Sequence, residues 1–301
     1  MTMSIISPTT ITPAILASSS ATDEFAEWNP ATSYALDAKV KRATTNKNYI
    51  CTTAGISAVP PETNTLGWVD IGPTNTWGMF DRKLGTSTRV TSGNLTVVLN
   101  PGRISGVALL GMEGALASIT IKDSPGGNVI RYLTKTLDGT IITSVYEWFF
   151  SEYQQLSDWA ITGLPAHYLS PEVTIVISSL TGAASCGVCL VGNATEIGYT
   201  QAGASAGIVD YSRKVVDDFG NYDVTERAYS KRNTLKVFTA RIDFNKIFTK
   251  LASIRATPAI YIGVADAGFE PFLVYGWYKS FDIVVEYPDY HLLNIEIEGL
   301  I

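Results

Sequence analysis

From about residue 89 onward the chain is a succession of short, β-branched, period-two runs, each closed by a turn signal. Nothing else in it restricts the fold so strongly. Side chains that alternate between two faces suit half-buried strands and leave no apolar stripe for a helix. Leu95–Leu99 reads as a strand, as do residues 104–110, 117–122, 129–133, 173–177 and 187–191. Turn residues at 124–127 and 138–139 read as hairpin turns. Strands at this spacing predict a β-sandwich over residues 73–199. Residues 145–159 are the one stretch before 200 that could bear helix, although they are rich in aromatics. The small-residue run at 197–207 marks a seam. Beyond it, 208–214, 222–229, 234–242, 259–264, 281–287 and 292–297 read as strands of a C-terminal β-rich (α+β) domain, 200–301. Within that domain Ile247, Phe248, Leu251 and Ile254 recur three and four apart, which predicts a short helix over 245–254. The fold class is therefore mainly β.

The first 72 residues divide differently. Phe25, Trp28, Tyr34, Tyr49 and Trp68 crowd residues 25–72 with few aliphatics, so this segment reads as a small β module with an aromatic core. Its strands are expected at 38–42 and 48–52, around a turn at 46–48. Trp77 and Phe80, flanked by turn residues, read as anchors joining this module to the larger body. Residues 1–24 carry two prolines, which forbid a helix and discourage a central strand. Yet Ile5, Ile6, Ile11, Ile15 and Leu16 are too apolar for a solvated tail. The expectation is an extended arm lying on a neighbouring subunit, with an unstructured terminus as the alternative. On that expectation, removing residues 1–20 leaves the β domains folded and lowers incorporation into an assembly.

Chemistry is scarce. With 22 Lys+Arg against 28 Asp+Glu, the net charge of -6 gives no basic footprint for nucleic acid. No apolar run approaches the roughly 20 residues of a membrane span, and the N-terminus lacks a signal-peptide pattern. The chain is thus expected to be made and kept in a cytoplasm. Cys51, Cys186 and Cys189 are too few for a disulfide framework. Cys186 and Cys189 have metal-ligand spacing, but no second pair completes a site. On a strand they would face opposite sides, so buried free thiols are the reading. His167 and His291 lie in separate segments, with no ligand at metal spacing. Residues 203–207 resemble a nucleophile elbow only in form, and no phosphate loop occurs. Asp217 with Asp218, and Glu296 with Glu298, are the notable acid pairs. Such pairs can hydrolyse a glycosidic bond, but a solvated edge suits Glu296 and Glu298 better. The expectations are no enzyme activity, no catalytic residue, no metal and no cofactor.

Two resemblances bear on function. Trp28-Asn-Pro-Ala-Thr-Ser-Tyr34, then Val40, Tyr49, Pro60-Pro61 and Trp68, resembles the small chitin-binding type of carbohydrate-binding module, over about one sixth of the chain. The family usually has glycine three residues after the tyrosine, and here that residue is Asp37. The resemblance implies a small twisted β module that stacks sugars on Trp and Tyr, with Trp28, Tyr34 and Trp68 as candidates. The same rings could instead be core. Trp68 reads as core, and Trp28 and Tyr34 as the more exposed pair. Residues 73–88, and 293–301 together with Gly276-Trp277, are similar to passages of bacteriophage virion and tail proteins. Charged residues are only 17%, which suits a surface that other subunits cover. The implied role is a structural subunit of a phage tail, baseplate or collar. Its partners would be copies of itself and other virion proteins, and it would reside in the virion after synthesis in host cytoplasm. The alternative is a virion protein that binds or decorates host-surface glycan.

Overall fold

The computed structural model describes residues 2–140, 142–152, 154–179, 182–216, 219–266, 268–285 and 287–300. The fold is mainly β. In chain order the strands begin with β1 Thr2–Pro8, β2 Leu16–Ser19, β3 Ser33–Tyr34, β4 Lys39–Arg42, β5 Lys47–Cys51, β6 Gly55–Ile56 and β7 Trp68–Pro73. There follow β8 Thr88–Val90, β9 Leu95–Leu99, β10 Gly106–Glu113, β11 Leu116–Lys122 and β12 Val129–Thr136, then the helix α1 Val145–Phe150. Next come β13 Trp159–Ile161, β14 Glu172–Ser178, β15 Ala184–Thr200, β16 Ser205–Asp210, β17 Arg213–Val216 and β18 Tyr222–Thr225. The chain closes with β19 Tyr229–Ala240, α2 Phe244–Ser253, β20 Ala259–Ile262, β21 Leu273–Val284 and β22 Tyr290–Gly299.

The expected sandwich is present. Its first sheet runs β12-β11-β14-β9-β2. Strict alternation sends Leu95, Val97, Leu99, Ile119, Ile121, Val173, Ile175 and Ile177 into one core. The facing layer is β10 and the first half of β15, which contribute Val107, Leu109, Met112, Cys186, Cys189 and Val191. Here the sequence reading of the cysteines needs correction, because both thiols enter the same core. Gly111, at φ 61°, lies opposite Gly187 in the ladder, and both strands switch face there. Leu110 and Val188, one step away, pack into a different core. All three cysteines are free and buried. Burial pushes the Cys186 thiol up to about 12 and also raises Cys189, so neither is a reactive thiolate.

Strand β15 does not stop at the expected seam. It runs on through residue 200 and becomes a stave of a second structure. The pairings β15–β1, β1–β20, β20–β21, β21–β22, β22–β19 and β19–β15 close a circuit of strands. Met3, Ile5, Ile197, Leu235, Val237, Tyr261, Leu293, Ile295 and Ile297 fill this barrel. Helix α2 plugs one end with Ile247 and Leu251, as the helical period predicts. On the outer side Ile6, Ile260, Ile262 and Tyr275 meet Ala108, Leu110, Val188 and Leu190, where the sheet curls back over the barrel.

The expected free arm is, over residues 2–24, largely part of the chain's own fold, with two strands of its own. Met3, Ile5 and Ile6 are fully buried within the chain's own fold. Ile5 faces the barrel interior and Ile6 the outer core, so consecutive apolar residues serve two cores. Ile11, Ile15 and Leu16 pack against the sandwich, where β2 pairs with β9. The prolines, Pro8 and Pro13, sit at the end of β1 and in the turn between β1 and β2, outside the interior of either ladder. That placement is why they did not prevent strands on either side. Gly192 permits the close approach of β15 and β1, since a Cβ there would strike the Ser7 carbonyl oxygen.

The small module stands on its own core of Trp28, Val40, Tyr49, Cys51 and Trp68, with β4, β5 and β7 as its sheet. Its turn lies just before residue 47, with Asn46 at φ 57°. Asp37 has φ 64°, a left-handed conformation that glycine adopts at no steric cost. Trp68 is 4% exposed. Its replacement by alanine is expected to lower the module's stability by about 3–5 kcal/mol. Urea unfolding followed by near-UV circular dichroism checks this, and an unchanged midpoint would contradict it.

Candidate interaction surface

The residues named for sugar stacking do not form a platform. Trp28 is 7% exposed and Trp68 less, so neither offers a ring face. The Arg42 guanidinium covers Trp28 at 5.0 Å. Tyr34 meets Trp68 edge-on at 5.2 Å, and its hydroxyl accepts the Asn29 N–H at 2.7 Å. The core reading therefore extends from Trp68 to Trp28, which the sequence placed among the more exposed rings. The large apolar side chains this module does expose, among them Leu36, Ile56 and Leu66, are aliphatic.

Trp77 and Phe80 do lie where module meets body. They sit on a 3-10 turn, Asn75–Phe80, with ring centroids 5.8 Å apart. Phe80 packs against the sandwich core. Trp77 lines a groove of about 730 Å³ with Ile11, Ile71, Pro73 and Lys83. Asp23 ties this junction together: it accepts the Thr76 N–H at 3.0 Å and the Lys41 ammonium at 3.1 Å. Burial raises its pKa, but the bonds from Thr76, Lys41 and Thr74 outweigh burial and hold its carboxyl below the usual range. Glu62 is lowered chiefly by its bond from Arg42. A depressed folded value stabilises the fold at neutral pH, and that stabilisation disappears as pH falls through it. The module's urea midpoint is thus expected to drop between about pH 5 and pH 3. Asp23→Asn should remove a large part of that dependence, and an identical pH profile would contradict the role given to Asp23.

Among the described residues no group of three or more metal-ligating side chains converges. Glu296 pairs with Arg232 at 3.0 Å and Lys279 at 3.9 Å, and Glu298 accepts the Tyr211 hydroxyl at 3.2 Å. His167 stacks on Tyr168, and His291 is buried against Phe244. Asp217 and Asp218 lie outside the described residues. No helix among the described residues is long and apolar enough to cross a membrane.

What the surface does carry is two apolar protrusions. The first is the excursion between β12 and β13. Its root is fixed: Gly139 N–H bonds the Gln154 carbonyl and Leu156 N–H the Leu137 carbonyl, both at 2.8 Å. Leu137 is buried in the sandwich core. At its tip Ser144 and Glu147 form a reciprocal capping box that starts α1. The Thr143 hydroxyl and N–H bond the Glu147 carboxylate and hold it below its ordinary pKa. Yet α1 buries no residue. Val145, Tyr146, Trp148, Phe149 and Phe150 are each 68–78% exposed. The Tyr146 ring packs against that of its helix neighbour Phe150, with centroids 4.6 Å apart. A solvated surface rarely gathers so much aromatic area in one place.

The second protrusion is the hairpin from β16 through β18 to the start of β19. Every residue of β17 and β18 is exposed, including Val215, Val216, Tyr222 and Val224. A lone two-stranded ribbon of this kind is marginal in water. The two protrusions share one root. A groove of about 380 Å³ separates them, lined by Leu156, Asp158, Ile208, Tyr229, Lys231 and Pro271. The Asp158 carboxylate accepts the Lys231 ammonium at 2.8 Å and the Gly111 N–H at 3.2 Å, pinning the loop root to the barrel. Sequence reasoning read possible helix within 145–159 and strands at 208–214 and 222–229, and missed only that these elements stand exposed. The signals were present: a capping box ahead of Val-Tyr-Glu-Trp-Phe-Phe, and a hairpin in which neither face carries an unbroken apolar row. No protein-family model, curated protein or solved structure matches the chain.

Proposed function

We propose that the chain is a structural subunit of a bacteriophage particle, in its tail, baseplate or collar, and that it assembles with copies of itself about a symmetry axis. The observation that carries this is the pair of exposed apolar protrusions rooted on one face. Large apolar patches of that kind belong to surfaces that a partner covers, and repeated identical subunits commonly close into rings. The similarity of residues 73–88 and 293–301 to virion proteins supports the phage setting. The left-handed Asp37, at the place where chitin-binding-type modules carry glycine, supports a module of that shape. With Trp28 and Trp68 buried, that module serves as a spacer or docking element, and a glycan-binding role loses its platform. An antibody raised against the purified chain tests the setting directly. Decoration of the tail or collar of an intact particle in electron micrographs is expected, and particles that lack the chain altogether would overturn the proposal.

A further inference from the structure

We infer that the groove at the junction of module and body binds an acidic saccharide, with the carboxylate of a uronic acid unit at Lys83 and its pyranose ring against Trp77. The site is distinct from the rings Trp28, Tyr34 and Trp68. The groove, of about 730 Å³, has an apolar base of Ile11, Pro73, Trp77 and Phe80 beneath a polar rim. Ligand sites commonly combine such a base with a few polar groups that fix orientation. Here the rim selects the ligand. Its two carboxylates are engaged by their own chain. Asp70 accepts the Lys47 ammonium and the Gly72 N–H. Asp81 accepts the Lys83 N–H at 2.9 Å and the Thr86 hydroxyl at 2.7 Å, and its other oxygen is closed to solvent. The groups left unused are donors. Among the described residues the Lys83 ammonium forms no ion pair and the half-buried Trp77 makes no hydrogen bond through its indole N–H. Free donors call for a ligand rich in acceptors, and the cation among them favours an anion. One free cation beside two carboxylates suits a single carboxylate better than the several charges of a nucleotide. The indole face, negative in its quadrupole, suits the polarised C–H bonds of a sugar ring.

The turn that presents Lys83 is held firmly. Arg82 stands at φ 65°, a left-handed conformation that is costly for a residue with a Cβ. Its carbonyl accepts the Tyr275 hydroxyl at 3.1 Å, and its guanidinium donates to the Thr10 hydroxyl at 2.8 Å. Strain of this kind is retained where a fold fixes a functional group in one place. On the module's side of the groove Asn46 is also left-handed, at φ 57°, and its carbonyl accepts the Thr74 N–H at 3.0 Å. Lys83 also acts on the groove at a distance. Burial raises the Asp70 carboxyl, but the bonds from Lys47 and Gly72, with the charges of Lys47 and Lys83, outweigh it and hold it low.

The inference stands apart from the subunit reading, so a chain that assembles normally can still fail it. Isotope-labelled full-length chain is titrated with trisaccharides of galacturonic acid and of glucuronic acid, and with the matching trisaccharides of galactose and glucose. The Trp77 indole resonance is identified by its loss in Trp77→Phe. The expected result is a shift of that resonance with a uronate, and binding of the neutral counterpart weaker by about tenfold or more. Lys83→Gln changes an exposed side chain. It should weaken the uronate by about tenfold or more and leave the urea midpoint in place. No shift with either uronate, equal affinity for the neutral sugars, or undiminished binding by Lys83→Gln would each overturn the inference. Tighter binding of ATP than of either uronate, read at the same resonance, would assign the groove to a nucleotide and overturn it as well.

Discussion

Replacing Ile5 and Ile6 together by alanine is expected to bring the C-terminal barrel close to unfolding. Both side chains are fully buried, and they enter different cores. Each truncation removes apolar contact and leaves a cavity, at a cost of about 2–5 kcal/mol. Two such losses in one stave approach the 5–15 kcal/mol that typically holds a domain together. The effect exceeds cavity formation alone, because β1 bonds β15 on one side and β20 on the other. Weakening it opens the circuit at the joint between sandwich and barrel. Ile11→Ala is the control, since Ile11 is only partly buried against the sandwich and should cost much less. Urea unfolding followed by circular dichroism separates the outcomes. A double variant with the wild-type midpoint would return residues 1–8 to the role of a dispensable arm.

The second large effect concerns assembly rather than folding. Serine at Tyr146, Trp148, Phe149 and Phe150 should leave the monomer's unfolding midpoint almost unchanged, because α1 buries nothing in its own chain. The same changes should abolish association. Aromatic anchors at the centre of an interface cost about 2 kcal/mol or more when truncated. Every 1.4 kcal/mol is tenfold in affinity, so the loss of several anchors moves assembly out of the micromolar range. Sedimentation at matched concentrations reads this out. A variant that assembles normally, or one that unfolds, would contradict the separation of loop and fold.

Much of the fold was legible because alternation is a local signal. Leu95 to Leu99 and Val173 to Ile177 announce their buried faces two residues apart, and the helical spacing of Ile247, Leu251 and Ile254 announces the barrel plug. What stayed hidden depends on pairing between distant residues. Nothing near Ile5 says that its neighbours are residues 195 and 261, so an apolar segment between prolines looked unpartnered. The face switch at Gly111 and Gly187 is likewise a property of the pair of strands. The candidate site was hidden for the opposite reason. Trp148 and Phe149 carry the residue types of a core, and only the three-dimensional arrangement reveals that their own chain leaves them outside it. For Trp28 the error ran the other way: a ring beside an Asn-Pro turn is covered by Arg42, contributed by β4.

The central claim is that this chain is built to be covered by copies of itself. Sedimentation velocity of the unmodified full-length chain from about 1 to 100 µM tests it most directly. The account predicts a boundary that moves with concentration to a single closed species, whose mass is a whole-number multiple of the chain's own. A monomer boundary that does not change across the range would contradict it.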